Sequence, residues 1–350
     1  MHFRATASMG ASAGYRGDIT RTASRWLAGV LIAGGALVAS ACVDPSAVRS
    51  FSALAPDPSK VSVLTEAYAD APTKILDLDI LHRLDAAALR SLEADKGIRQ
   101  QQVTAINNLH AVLIDYMKAL GSLADDKLVQ TSTDAKDVTD GLTALQKADT
   151  KLGLTDNQIN AVGSISTLLA DLLTSVYREH KLADVIRRAN APFQTLIGTE
   201  QQIISRGVIP ELNNVRERLI ELEELDHGLQ VDSEHQLVEA QKRHDERSRS
   251  KAPTPEWDNV DLVLQSSGAA DLAAQIFLRR EIDSDRSAVD VQIQAANDYS
   301  KALAAIAKAH TALFDQRGAV LSKAGAKSFA TQASPLVKEA YTALQSLNKL

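Results

Sequence analysis

The spacing of the apolar residues is the feature that most restricts what this chain can fold into. From about residue 61 onward they recur at steps of three and four, which places them on one face of an α-helix. No convincing segment shows the period of two that is typical of a half-buried strand. The pattern therefore predicts helices throughout. The predicted stripes are Val103, Ile106, His110, Leu113, Met117 and Leu120; Ile159, Val162, Ser166, Leu169, Leu173, Val176 and His180; Val215, Leu219, Leu222 and Leu229; and Ala296, Leu303, Ile306, His310 and Leu313.

Local signals predict where one helix ends and the next begins. Gly153 suits the left-handed conformation that commonly follows a helix. Residues 155–158, which read Thr-Asp-Asn-Gln, form a capping box. We therefore expect one helix to end near Leu152 and another to start at Asp156.

Further boundary signals lie on either side of this point. Residues 132–134, which read Ser-Thr-Asp, and residues 254–256, which read Thr-Pro-Glu, both predict helix starts. Pro192 and Pro210 each lack a backbone donor inside an otherwise helical stretch. They predict breaks or kinks.

Two long segments near the C-terminus predict a helical hairpin. Residues 211–247 are highly charged with a thin apolar stripe, and as one helix they would extend roughly 55 Å. Residues 271–316 form a comparably long, alanine-rich segment, and the intervening residues 248–255 are rich in Ser, Arg, Lys and Pro. A charged helix with a thin apolar stripe is typical of a coiled-coil-like hairpin.

We therefore predict an all-α fold, an elongated antiparallel helical bundle with a long coiled-coil-like helical hairpin. Residues 42–60 contain three prolines and are predicted to be a tether, with room for one short helical turn. Residues 61–206 are assigned to the helical bundle. Residues 207–350 are assigned to the long hairpin and to a C-terminal helix that packs on the bundle.

Residues 1–41 have the pattern of a targeting segment. Arg16, Arg21 and Arg25 precede an uncharged apolar run that starts at Trp26. The run is shorter than the roughly 20 apolar residues that a membrane-spanning helix needs. Small residues follow it and lead directly to Cys42, the only cysteine of the chain.

This arrangement resembles the signal peptide and lipobox of bacterial lipoproteins, in which small residues directly precede a cysteine. The resemblance implies cleavage before Cys42, a diacylglycerol thioether on its sulfur, and attachment to a lipid bilayer through the acyl chains. Val43, rather than Asp, at the next position implies the outer membrane and its periplasmic face. A competing interpretation makes Ala39 and Ala41 an ordinary signal-peptidase site, which would release a soluble secreted protein.

Cleavage before Cys42 would make the protein more acidic. The full chain has a formal net charge of −6, and residues 1–41 contribute four arginines and one aspartate, so the mature chain would carry −9. An acidic surface is repelled by phosphate backbones, and we therefore expect no nucleic-acid partner. A single cysteine also excludes an intramolecular disulfide and a cysteine-based zinc site.

The histidines are the main candidates for a binding site. His110, His180 and His310 lie on predicted apolar stripes, so two of them could meet inside the bundle and bind a metal ion or haem. The other interpretation is that each bonds a neighbouring side chain or lies near an end of the bundle. Glu224 and His227 match one half of a di-iron helix motif, but no second Glu-x-x-His occurs, which favours a solvated helix face.

No nucleophile elbow, phosphate-binding loop or dinucleotide fingerprint is present, so we expect no enzyme, no cofactor and no metal site. The apolar stretch 159–177 is predicted to be a core helix, with a membrane-inserting tongue as the alternative. We expect an outer-membrane-anchored periplasmic lipoprotein that acts as a structural or protein-interaction module with an envelope protein as its partner. The alternative hypothesis is a small-ligand or metal-binding bundle that uses interior histidines.

Overall fold

The structure is a computed structural model that describes residues 45–79, 84–127, 134–173, 181–249, 258–317 and 322–350. Every regular element in these ranges is a helix, which confirms the predicted all-α fold. The α-helices are α1 (Ser46–Ser52), α2 (Pro58–Asp77), α3 (Ala86–Ala124), α4 (Ala135–Ala148), α5 (Asp156–Leu173), α6 (Leu182–Ile203), α7 (Ile209–Arg249), α8 (Asp258–Asp315) and α9 (Lys323–Leu344).

Aspartate side chains cap the starts of several helices. The carboxylates of Asp57, Asp85 and Asp134 accept hydrogen bonds from free N–H groups in the first turns of α2, α3 and α4. The start predicted at residues 132–134 is therefore confirmed, with Asp134 as the cap. The start predicted at residues 254–256 lies outside the described residues.

The junction before α5 follows the predicted pattern closely. Gly153 has a φ of +63°, the left-handed conformation that glycine adopts at little cost. The backbone N–H of Thr155 donates to Oε1 of Gln158 at 2.8 Å, one half of the capping box. Helix α5 starts at Asp156 as predicted, whereas α4 already ends at Ala148 and a 3₁₀ turn follows it.

Neither of the two prolines breaks its helix. Helix α6 continues through Pro192. The next residue, Phe193, is fully buried, and its packing offsets the one backbone hydrogen bond that the proline removes. A π-helical turn at Ile204–Val208 joins α6 to α7 just before Pro210. Such turns accommodate irregular backbone hydrogen bonding within a continuous helix. The prediction of breaks is wrong at both prolines, the alternative of kinks stays a prediction, and a π turn precedes Pro210.

The structure corrects the predicted tether over its described part, residues 45–60, where the short helical turn is a packed helix. Helix α1 lies inside this range, and the side chain of its Phe51 is fully buried against the ring of Phe193. The prolines explain the error, because Pro45 caps α1 and Pro58 is the first residue of α2. At these positions a missing N–H breaks no helical hydrogen bond. The prolines therefore delimit packed helices.

Helices α2, α3, α6 and α8 contribute most of the buried core, and residues 45–350, as far as they are described, belong to one compact unit. Helix α5 packs within this core, as the core-helix interpretation predicts for residues 159–173, whereas residues 174–177 lie outside the described residues. No helix among the described ranges has the length and apolarity that crossing a bilayer requires.

Helices α7 and α8 run antiparallel where they pack against each other. An ion pair joins Arg216 to Asp290 at 3.1 Å, and a second joins Glu223 to Arg286. Helix α9 packs against α8 and α1. The residues that would connect α7 to α8, 250–257, lie outside the described residues, so the long hairpin stays a prediction.

Candidate functional site

Three helices bring a histidine, a glutamate and a tyrosine together inside the bundle. His110 lies on α3, Glu200 on α6 and Tyr299 on α8, and at most 3% of each residue is exposed. The Tyr299 hydroxyl lies 2.5 Å from Oε1 of Glu200 and 2.7 Å from Nδ1 of His110. Nδ1 of His110 lies 2.7 Å from the same glutamate oxygen. We call these three residues the His110 cluster.

The geometry of the His110 cluster indicates where its protons lie. The phenol of Tyr299 donates to Oε1 of Glu200, and a proton on Nδ1 of His110 can be shared with the same oxygen. Burial, reinforced by the neighbouring Glu200, raises the pKa of Tyr299 well above its ordinary value, so the phenol keeps its proton. The cluster is therefore a proton-sharing network linked to three helices.

Two atoms of the His110 cluster are buried without a hydrogen-bond partner among the described residues. They are Nε2 of His110 and Oε2 of Glu200. Buried polar atoms in folded proteins nearly always have a protein or water partner. These two atoms are therefore the ones that a small polar molecule could contact.

A second buried histidine is fully bonded. Nε2 of His310 lies 2.8 Å from the Tyr116 hydroxyl, and its Nδ1 lies 3.2 Å from Oδ1 of Asn190. The tyrosine can donate to Nε2 while Nδ1–H donates to the asparagine oxygen, which describes a neutral imidazole. Burial lowers the pKa of His310 to about 3, in agreement with that state. The ring packs against Phe193 at a centroid distance of 4.4 Å.

The structure does not bring the predicted histidines together. His110 and His310 bond different partners. Tyr299, the partner of His110 on α8, lies about 16 Å along that helix from His310. Each bonds neighbouring side chains, as the second interpretation predicts, whereas His180 lies outside the described residues. No group of three or more potential metal ligands occurs in the described part of the chain. The side chain of His227 is exposed, as expected for a solvated helix face.

Sequence reasoning missed Glu200 and Tyr299, although the signal for both was present. Glu200 follows Phe193 and Leu196 at helical spacing, so it is a charged residue on an apolar stripe. Tyr299 lies between Ala296 and Leu303 on the stripe of α8. A carboxyl group on such a stripe must find a buried partner, because an unpaired buried charge is costly. The sequence could not identify that partner.

A groove with an apolar floor lies between α2, α7 and α8 and has a volume of about 330 Å³. We call it the α2–α7–α8 groove. Its walls include the partly exposed side chains of Leu78, Leu222 and Leu278. Its floor consists of four buried apolar residues from α7 and α8: Val215, Leu219, Ile282 and Val289.

Helix α8 exposes a run of apolar side chains beside this groove. Ile276 is 46% exposed, Phe277 is 69% exposed and Leu278 is 38% exposed. Successive residues point about 100° apart around a helix, so three of them in a row cannot share one buried face. The surface of α8 around residues 276–278 is therefore apolar on several sides.

Cys42, the predicted lipidation site, lies outside the described residues. Comparisons with protein families, with curated proteins and with solved structures find no match for this chain.

Proposed function

We propose that this protein is a lipid-anchored, non-enzymatic helical module that binds another protein of the cell envelope at the periplasmic face of the outer membrane. The observation that carries the proposal is the exposed apolar run Ile276–Phe277–Leu278 beside the α2–α7–α8 groove. Adjacent exposed apolar side chains next to a concave apolar surface are typical of protein interaction sites.

The exposure of Phe277 is the strongest part of this argument. Large aromatic side chains are usually buried, and they are enriched at the centres of protein interfaces. Phe277 is more exposed than the other large apolar residues of the described chain that are accessible to solvent. A binding partner that covers it would remove this apolar surface from water, at about 25 cal/mol for each Å² buried.

The lipid anchor is supported by the sequence around Cys42. Two or three acyl chains hold a protein at a bilayer without a protein segment in the membrane, at about 0.8 kcal/mol for each buried methylene. Labelling cells with a radioactive fatty acid should mark the protein, and Cys42→Ala should abolish the label. Persistent labelling of the variant would contradict the anchor.

The interaction is tested by site-specific photocrosslinking in cells that express the full chain. A photoreactive amino acid in place of Phe277 should give a reproducible crosslinked protein. Tyr341 provides the matched control, because it is an aromatic residue with a comparable exposure of 53% that lies on a different helix, α9, outside the exposed apolar run. No crosslink at 277 above the level at 341 would count against the proposal.

A second candidate function rests on the unpartnered atoms of the His110 cluster. Nε2 of His110 and Oε2 of Glu200 could contact a small polar ligand or contribute to binding a metal ion. Elemental analysis of protein purified without chelator tests the metal form. A stoichiometric metal that is lost in His110→Ala would favour this function over the first.

A further inference from the structure

We infer that the α2–α7–α8 groove binds an amphipathic helix of the partner protein, with basic residues flanking its apolar stripe. This inference rests on the proposed function, since it specifies the chemistry of the protein that the module holds. Three features of the groove carry it: its length along α8, its apolar floor and the charge of its rim.

The length of the groove suits a helical ligand. Its lining residues on α8 run from Leu278 to Val289, which spans about 16 Å or three helical turns. Those on α7 run from Val215 to Leu222 in the antiparallel direction. A helix that docks in a groove uses anchors at i, i+3 or i+4, and i+7, which cover two turns. The floor is long enough for such a set.

The rim of the groove is acidic. Asp77 on α2 and Glu281 and Asp285 on α8 line it, and all three side chains are exposed. Within the described ranges none of these carboxylates forms an ion pair. The one basic residue that lines the groove there is Lys74. The rim thus carries three negative charges and one positive charge.

Two of the arginines near this rim, Arg286 and Arg280, do not neutralise it. Arg286 is paired with Glu223, between α7 and α8. Arg280 lies 200° around the helix from Leu278 and Ile282, so it is on the opposite face of α8. The negative potential therefore coincides with the opening of the apolar groove. A partner with lysine or arginine beside its apolar anchors is attracted, and an acidic partner is repelled.

The test uses the full chain and a fluorescent synthetic peptide of about 18 residues, or five helical turns. The peptide has leucines at helical spacing with lysines between them, and a matched peptide carries glutamate in place of every lysine. We expect the lysine peptide to bind at least about tenfold more tightly in fluorescence anisotropy.

Protein variants separate the apolar contribution from the electrostatic one. Leu278→Ser should weaken binding of the lysine peptide about tenfold, whereas Tyr341→Ser should leave it unchanged. The triple variant Asp77→Asn, Glu281→Gln, Asp285→Asn should reduce the preference for lysine to about threefold or less. All of these side chains are exposed, and circular dichroism should show unchanged helicity.

Several results would overturn the inference. These are equal binding of the two peptides, binding of neither peptide, and a preference for lysine that survives the triple substitution. Self-association of the full chain that is lost in Leu278→Ser would show that a second copy occupies the groove instead. If the peptides fail while photocrosslinks at 277 are still recovered in cells, the inference fails and the proposed function stands.

Discussion

Removal of the Tyr299 hydroxyl tests whether the His110 cluster helps to hold the bundle together. Tyr299→Phe keeps the ring and deletes one oxygen, which lies 2.5 Å from Glu200 and 2.7 Å from His110. Because phenylalanine fills nearly the same space, the substitution leaves no large cavity. The change in stability then reports mainly on the lost hydrogen bonds.

The expected magnitude follows from the chemistry of the contact. A hydrogen bond contributes about 0.5–1.5 kcal/mol net, and leaving a buried acceptor unsatisfied costs about 1–3 kcal/mol. Oε2 of Glu200 already lacks a partner, so Oε1 would be left with His110 as its remaining donor. We expect Tyr299→Phe to lower the free energy of unfolding by about 2 kcal/mol.

The assay is urea unfolding of the full chain, monitored by circular dichroism. The urea midpoints of the variants are compared where the dependence of the free energy of unfolding on urea concentration is unchanged. Tyr341→Phe is the control, because that residue is 53% exposed, and it should change stability by less than about 0.5 kcal/mol. In a Glu200→Leu background the tyrosine substitution should cost at least about 1 kcal/mol less, since the acceptor is gone. A loss below about 0.5 kcal/mol for Tyr299→Phe in the wild-type background would refute the assigned network.

Two further predictions test the packing of α1 and the state of the second histidine. Phe51→Ala should lower the free energy of unfolding by about 3–5 kcal/mol, since Phe51 is fully buried. A loss near zero in urea unfolding would mean that the segment around Phe51 is an unpacked tether. Burial lowers the pKa of His310 to about 3, so between pH 6.5 and 3 the unfolded chain takes up a proton there that the folded protein does not. Stability from this residue is therefore complete above pH 6.5 and is lost on acidification, by about 1.4 kcal/mol per pH unit. The check is the free energy of unfolding of wild type and of His310→Gln at pH 7, 6 and 5. The stability advantage of wild type should shrink accordingly as the pH falls, and an advantage that stays constant would contradict a neutral buried imidazole.

The local features of the fold were predictable because they depend on residues near each other in sequence. The capping box at Thr155 and Gln158 and the left-handed Gly153 involve only a few consecutive residues. The helical stripes follow in the same way from spacing within one helix. These predictions needed no knowledge of which helices pack together.

The prolines show where such local reasoning fails. A proline near residue 45 or 58 is compatible with a loop or with a helix start, and the sequence alone favoured a tether. Burial of Phe51 decides between these possibilities, and it depends on Phe193, which is more than a hundred residues away in sequence. The same holds for Pro192, where packing keeps α6 continuous.

The sequence by itself determined the all-α class, most of the buried residues on the predicted stripes within the described ranges, and the position of a candidate lipidation site at Cys42. Only the tertiary structure decided that His110 meets Glu200 and Tyr299 while His310 meets Tyr116, and that an apolar groove opens beside Phe277. The physical reason is the range of the interactions. Helix formation and capping act over three or four residues, whereas buried polar pairs and grooves form between helices whose order in space the periodicity does not specify.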